Sequence, residues 1–168
     1  MHVLTVIGAD RTGLVEALAR EIAAVGGNWE ESRLVRLAGQ FAGVLLVTID
    51  TARTDELVGG VRKLVATGLQ VSVHPTKSTS APVESVRFRL DVTGHDRPGI
   101  IRDVSQILAQ RGLNVEELES EVASAPMSGD RMFAARLVVR AASRAQVDDV
   151  RTQLESLAGE LMVDVADA

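Results

Sequence analysis

The chain has 168 residues, of which 46% are hydrophobic and 24% charged, a balance that suits a soluble globular fold and excludes disordered and fibrous classes. It contains no cysteine and no tyrosine, which removes disulfides, thiol catalysis and thiolate metal sites and argues against aromatic platforms for bases or sugars. The net charge of −5 is uneven, with eight basic and eight acidic side chains in residues 1–83 against ten and fifteen in residues 84–168, and the lack of a basic stripe speaks against direct nucleic-acid binding.

The opening MHVLTVIGAD reads as a strand near Val3–Gly8, since no basic stretch precedes an apolar block as in a secretory leader. A helix is predicted over Gly13–Val25, then strands near Asn28–Ala38 and Phe41–Asp50, a helix over Thr54–Thr67 and a strand at Leu69–His74. The longest apolar run, Val44–Val47, is far too short to span a bilayer, so the expected location is cytoplasmic. The polar stretch PTKSTSAPVE, with two prolines, reads as a linker. The predicted divisions are therefore a first domain at 1–76, a linker at 77–83 and a second domain at 84–168.

In the second half, VRFRLDV alternates cleanly as a half-buried strand. PGIIRDVSQILAQRG has helical apolar spacing, with Pro98 suited to the first turn and Gly112 to the stop. A strand follows from Asn114, a hairpin turns at APMSGD, and MFAARLVVR forms its return strand. A helix over Arg144–Ala158 and a strand LMVDV complete the half.

The halves are copies of one another. At a constant offset of 86, Leu4 meets Leu90, Val6 meets Val92, Gly8 meets Gly94, Asp10 meets Asp96, Arg11 meets Arg97 and Gly13 meets Gly99. Gly26 and Asn28 meet Gly112 and Asn114 at the same offset. Each half reads β-α-β-β-α-β, so the fold class is α+β: two tandem ferredoxin-like units with antiparallel sheets and helices on one face. FAGVLLVTI places apolar side chains on both sheet faces, with Phe41, Leu45 and Val47 on one and Val44 and Leu46 on the other. The open face thus calls for a cover, which predicts close packing between the halves and dimerisation.

The repeated hexapeptides GADRTG and GHDRPG bracket a strand-to-helix turn. A helix N-terminus presents unpaired N–H groups and welcomes an anion. The same residues also suit a purely structural role, with glycines for the turn, Asp as a local cap and Arg in solvent. Neither a phosphate-binding P-loop nor a dinucleotide fingerprint fits the spacing. No nucleophile elbow or Ser/His/Asp arrangement is present, and His2, His74 and His95 have no metal-ligand spacing. Neither enzymatic activity nor a cofactor nor a metal is expected. Trp29 reads as an interface filler, and the acidic run Glu116–Glu121 as a solvated strand face.

DRPG at the first turn, and GLN plus an apolar residue after the first helix, resemble the ACT domain. With GADRTGLV in the first half and QRGLNVEELES in the second, the whole chain resembles tandem-ACT proteins of the glycine cleavage system transcriptional repressor family. The resemblance implies a regulatory module that binds an amino acid such as glycine or serine at interfaces between domains. It places the ligand at Gly8, Ala9, Asp10, Arg11, Thr12 and Gly13 with Asn28, and at Gly94, His95, Asp96, Arg97, Pro98 and Gly99 with Asn114. Aspartate would pair with an α-ammonium and loop N–H groups with an α-carboxylate. It further implies a homodimer and a partner, either a transcription factor or a metabolic enzyme. Thr12 departs from the family pattern, which has proline there. The competing reading is a ligand-free interaction module, or the regulatory subunit of an enzyme.

Overall fold

Alternating apolar residues in each strand force a sheet with one dry face, and the amphipathic helices between the strands supply its cover. A computed structural model describes residues 1–76, 85–125, 129–156 and 161–167, and the chain divides into two units, Met1–Ser80 and Ala81–Ala168. The linker expected at 77–83 and the tip of the second hairpin lie outside the described residues.

The first unit runs β1 (His2–Ala9), α1 (Leu14–Ala24), β2 (Asn28–Leu37), β3 (Gln40–Thr48), α2 (Thr54–Arg62) and β4 (Leu69–Pro75). Its four strands lie in the order β2-β3-β1-β4, every neighbour antiparallel. Leu4 and Val6 of β1 and Leu45 and Val47 of β3 face Leu14, Leu18 and Ile22 of α1 and Leu57 and Val61 of α2 in one buried cluster. Each fully buried leucine contributes about 1.5–3 kcal/mol. Trp29, expected to fill an interface, is half-buried and packs against this same cluster. Phe41, Leu45 and Val47 do share the inward face, while Val44 is exposed.

The second unit repeats the plan with β5 (Val86–His95), α3 (Ile100–Gln110), β6 (Asn114–Ser124), β7 (Arg131–Ala141), α4 (Arg144–Ser156) and β8 (Leu161–Asp167). The sheet order is β6-β7-β5-β8, again antiparallel throughout. Phe88, Leu90, Val92, Leu137 and Val139 pack against Ile100, Val104 and Leu108 of α3 and Val150 and Leu154 of α4. Each unit is thus the expected βαββαβ ferredoxin-like fold.

The helix ends show how the local sequence works. Gly13 and Gly99 are the N-caps of α1 and α3, at φ 91° and 94°, and neither helix has a side-chain cap. The aspartates are therefore not caps, because they lie three residues before the cap position. Pro98 precedes the cap and stands outside the first turn. At the other end Gly26 and Gly112, both at φ 68°, close the helices identically. Gly26 donates to the Ala23 carbonyl and Gly27 to that of Ile22, as Gly112 does to Ala109 and Leu113 to Leu108. This is the Schellman arrangement, in which the left-handed residue satisfies the last carbonyls. The single helix expected over Thr54–Thr67 is divided: α-helix gives way to a 3-10 turn over Lys63–Thr67. Leu64 keeps the i, i+4, i+7 spacing with Leu57 and Val61 and stays in the core.

Three backbone and side-chain features generate measurable outcomes. A Cβ on Gly8 would lie 2.4 Å from the Gly68 carbonyl oxygen, a backbone atom that cannot swing aside. Gly8→Ala is expected to cost about 3 kcal/mol, read as a lower urea midpoint. At the β2–β3 turn, Ala38 and Gly39 adopt φ 49° and 78°, the signs of a type I′ hairpin turn that favours Asn-Gly. Ala38→Asn is expected to raise stability by up to about 1 kcal/mol in the same assay.

His2 is 4% exposed, and its Nδ1 has no partner. Its Nε2 lies 3.2 Å from Thr54 Oγ1, whose own proton goes to the Thr51 carbonyl. Nε2 is therefore the donor and Nδ1 a bare buried lone pair. Burial first, and the nearby amino terminus second, hold the imidazole below its ordinary 6.5. The unfolded chain takes up the proton more readily, so stability rises with pH across this titration. Stability should be intact above pH 6.5 and fall as pH drops below it. Denaturation midpoints across this range should show the step in the native chain and not in His2→Phe.

Candidate functional site

Each repeated loop is set by the strand before it and the helix after it. Gly8 and Ala9 close β1 opposite Phe41 and Gln40, and Gly94 and His95 close β5 opposite Phe133 and Met132. Asp10, Arg11 and Thr12 then cross in the open before Gly13 starts α1. Asp96, Arg97 and Pro98 make the same crossing before Gly99 starts α3. In both loops the helix begins with N–H groups that no side chain caps, a positive end suited to an anion.

Both aspartates are tied to the neighbouring hairpin in the same way. The Asp10 amide donates to the Gly39 carbonyl at 2.9 Å, and the Asp96 amide to that of Arg131 at 2.8 Å. Asp10 Oδ2 accepts from Arg36 Nε, and Asp96 Oδ2 accepts from Arg131 Nε at 3.0 Å. These arginines are 67% and 73% exposed, so each pair contributes only about 0–1 kcal/mol to stability. Nothing in the repeat alignment marks them: the position 86 beyond Arg36 is Val122, and the residue aligned with Arg131 by strand register is Gly39.

The two loops differ in their other arginine. Among the described residues Arg11 has no hydrogen-bond or ion-pair partner and is exposed. Arg97 reaches back to Asp103 Oδ2 at 3.0 Å, and Asp103 also accepts from Arg102 at 2.9 Å. The hydrogen bonds from Arg102 and then Arg97 hold the Asp103 carboxyl below its ordinary range. The first repeat has Ala17 where the second has Asp103. One loop therefore leaves its cation in solvent while the other neutralises it.

The asparagines do not join these loops within their own unit. Asn28 pairs across the sheet with Thr48, whereas Gly8 pairs with Phe41. Seven residue steps along a strand separate them, roughly 24 Å. Asn28 Nδ2 instead donates to Glu30 Oε1 at 2.9 Å. Glu30 and Glu116 occupy matching bulges, between Trp29 and Glu31 and between Val115 and Glu117. Hydrogen bonds from Thr48 and then Asn28 hold Glu30 below its ordinary range. Glu116 forms ion pairs with Arg87 at 2.8 Å and Arg140 at 3.2 Å. Asn114 opens β6 opposite Arg140, equally far from its loop.

A cavity of about 450 Å³ lies elsewhere, on the open face of the second sheet, lined by Asp91, Thr93, Glu119, Glu121, Ala134 and Arg136 among others. Asp91 accepts from Arg89 at 2.7 Å and from Arg136 at 3.0 Å. Burial works to raise this carboxyl, and the two guanidinium hydrogen bonds outweigh it, leaving it below its ordinary range. The expectation of a solvated acidic strand holds for Glu119 and Glu121, which are exposed. No group of three or more metal-capable side chains occurs among the described residues, and no described helix is long and apolar enough to cross a membrane.

Comparison with known proteins identifies the family of the fold. The ACT-domain family matches twice, over residues 1–74 and 88–159. Two curated relatives, the glycine cleavage system transcriptional repressors of Escherichia coli (strain K12) and Shigella flexneri, are each 26% identical over 165 residues, covering 95% of this chain and 84% of theirs. A solved structure of an unknown protein from Galdieria sulphuraria is 26% identical, with a TM-score of 0.86 over 99% of this chain and 97% of that one. The chain belongs to the ACT-domain family, with two such domains in tandem.

Proposed function

We propose that this chain is a non-enzymatic cytoplasmic regulator that binds a small amino acid, such as glycine or serine, at its strand-to-helix loops and passes the signal to a protein partner. One observation carries the reading: both domains build the same loop, an uncapped helix N-terminus beside an aspartate held by an arginine. Such a loop offers donors to a carboxylate and an acid to an ammonium, which is the charge pattern of an α-amino acid. The likeness to glycine cleavage repressors supports an effector in that range and a partner that is a transcription factor or a metabolic enzyme.

Arg11 is available to a ligand carboxylate, whereas Arg97 is held by Asp103, so the first loop is the stronger site. Asn28 and Asn114 can complete a loop only when another ACT domain brings them to it, which a homodimer provides. The signal then travels as a shift between packing states that the ligand binds unequally. A ligand-free interaction module is the second reading, favoured by Ile7, Val35, Leu37 and Val44, which are 51%, 58%, 75% and 44% exposed.

A thermal-shift screen of the whole chain against the free amino acids separates the two. A ligand at about a hundred times its dissociation constant should stabilise by roughly 2.7 kcal/mol, a rise of several degrees. Asp10→Ala should abolish most of that rise and Asp96→Ala less of it. A flat screen into the millimolar range would leave the interaction module as the surviving reading.

A further inference from the structure

We infer that Arg36 and Arg131 are recognition residues: each is the built-in stand-in for a ligand's ammonium, and a zwitterion binds by exchanging into the Asp10–Arg36 and Asp96–Arg131 ion pairs. This rests on the amino-acid reading above and adds to it the residues that select a zwitterion over either half alone. In the free protein each loop carboxylate is already neutralised, Asp10 by Arg36 Nε and Asp96 by Arg131 Nε. A bare amine gains little at such a site, because it only replaces one cation on the aspartate with another and makes no contact with the released guanidinium. A bare carboxylate likewise only replaces one anion on the arginine and makes no contact with the released aspartate. A molecule carrying both charges gives its ammonium to the aspartate and its carboxylate to the freed arginine, so no charge is stranded.

The recurrence of the pair is what makes a recognition role the better account. Arg36 comes from the end of β2, while Arg131 comes from the start of β7, the strand that corresponds to β3. Duplication did not copy this arginine, since Val122 and Gly39 stand at the matching places. Two different positions of the hairpin nevertheless deliver Nε to the same Oδ2 of the loop aspartate. Stability is a weak reason for that convergence, because both arginines are largely exposed. Exposure is also what lets the pair open for a ligand without disturbing the core.

Selectivity among whole ligands and half ligands tests the exchange. Calorimetric titration of the full chain would use glycine with methylamine and acetate, and L-serine with ethanolamine and 3-hydroxypropanoate. The expected result is binding of an amino acid, with its amine and its acid weaker by roughly tenfold or more each. In the double variant Arg36→Gln and Arg131→Gln, amino-acid affinity should fall by about tenfold or more, towards that of the amine. The double variant to Lys should recover part of the loss, and the unliganded melting temperature should stay within a few degrees of the native value. An amine that binds as tightly as its amino acid, or a Gln variant with native affinity, overturns the exchange and leaves amino-acid sensing standing. If neither glycine nor serine binds the unaltered chain at millimolar concentration, the exchange and its amino-acid premise both fall.

Discussion

Helices cover only one face of each antiparallel sheet, and that single-sidedness decides which positions of the repeat are held and which are free to change. Because strand side chains alternate, one residue in two must be apolar and of the right volume to meet the helices. The inward set is accordingly conserved between the two domains: Leu4 and Val6 match Leu90 and Val92, and Leu45 and Val47 match Leu137 and Val139. On the first helix Leu14, Leu18 and Ile22 match Ile100, Val104 and Leu108. The Leu/Ile swaps preserve volume, and Leu18 to Val104 removes one methylene, changes that a core tolerates at modest cost. The two bulged glutamates, Glu30 and Glu116, serve the same end, since each restores the alternation that puts Glu31 and Glu117 outside.

The outward face was under less constraint and has diverged at several positions, although Ala42 and Ala134 remain identical. Strand register pairs Thr5, Ile7, Arg33, Val35 and Val44 of the first domain with Asp91, Thr93, Glu119, Glu121 and Arg136 of the second. The first set is a largely apolar patch of the kind that meets another protein. The second is a charged row in which Arg89 and Arg136 share Asp91, and it needs no cover to be stable in water. Two copies of one fold thus present unlike surfaces while keeping like loops, which is the pattern expected when sensing is shared between domains and docking is assigned to one.

Much of this was legible in the sequence, and the limits have physical causes. The βαββαβ order, the strand faces and the repeat at 86 residues all follow from short-range periodicity, which the pleat and the helical turn impose directly. The difference in hairpin length was not read from the sequence: only the strand register shows the offset change from 86 to 92 beyond the hairpin. The loop glycines were recognisable as turn formers, but the role of the aspartates was not. A cap bonds within its own turn, whereas Asp10 and Asp96 reach a hairpin 26 and 35 residues away. The alignment that found the loops also hid their partners, because Arg36 and Arg131 do not occupy matching positions. Likewise, the family resemblance paired Asn28 with the loop, and only the strand register shows it at the opposite end of the sheet.

If a ligand exchanges into the Asp10–Arg36 pair as proposed, the route from the loop to the protein surface is short. Arg36 lies on β2, an edge strand of the first sheet, between Val35 and Leu37, both exposed and both apolar. A ligand that takes Arg36 away from Asp10 acts on the residue between those two, so no chain of core contacts is needed to carry the signal. The hairpin behind it is held in a left-handed turn at Ala38, a conformation that costs an alanine roughly 1–2 kcal/mol. Its Gly39 carbonyl is bonded to the Asp10 amide, so loop, turn and edge strand respond together when the ion pair exchanges. In the second domain the arginine stands on β7, an interior strand, one strand away from the exposed Leu118 and Val122 of the edge strand β6. On the proposed reading, an effector held by the first loop acts directly on the exposed apolar residues beside Arg36. The first domain is also the one whose loop keeps Arg11 free and whose open face is apolar.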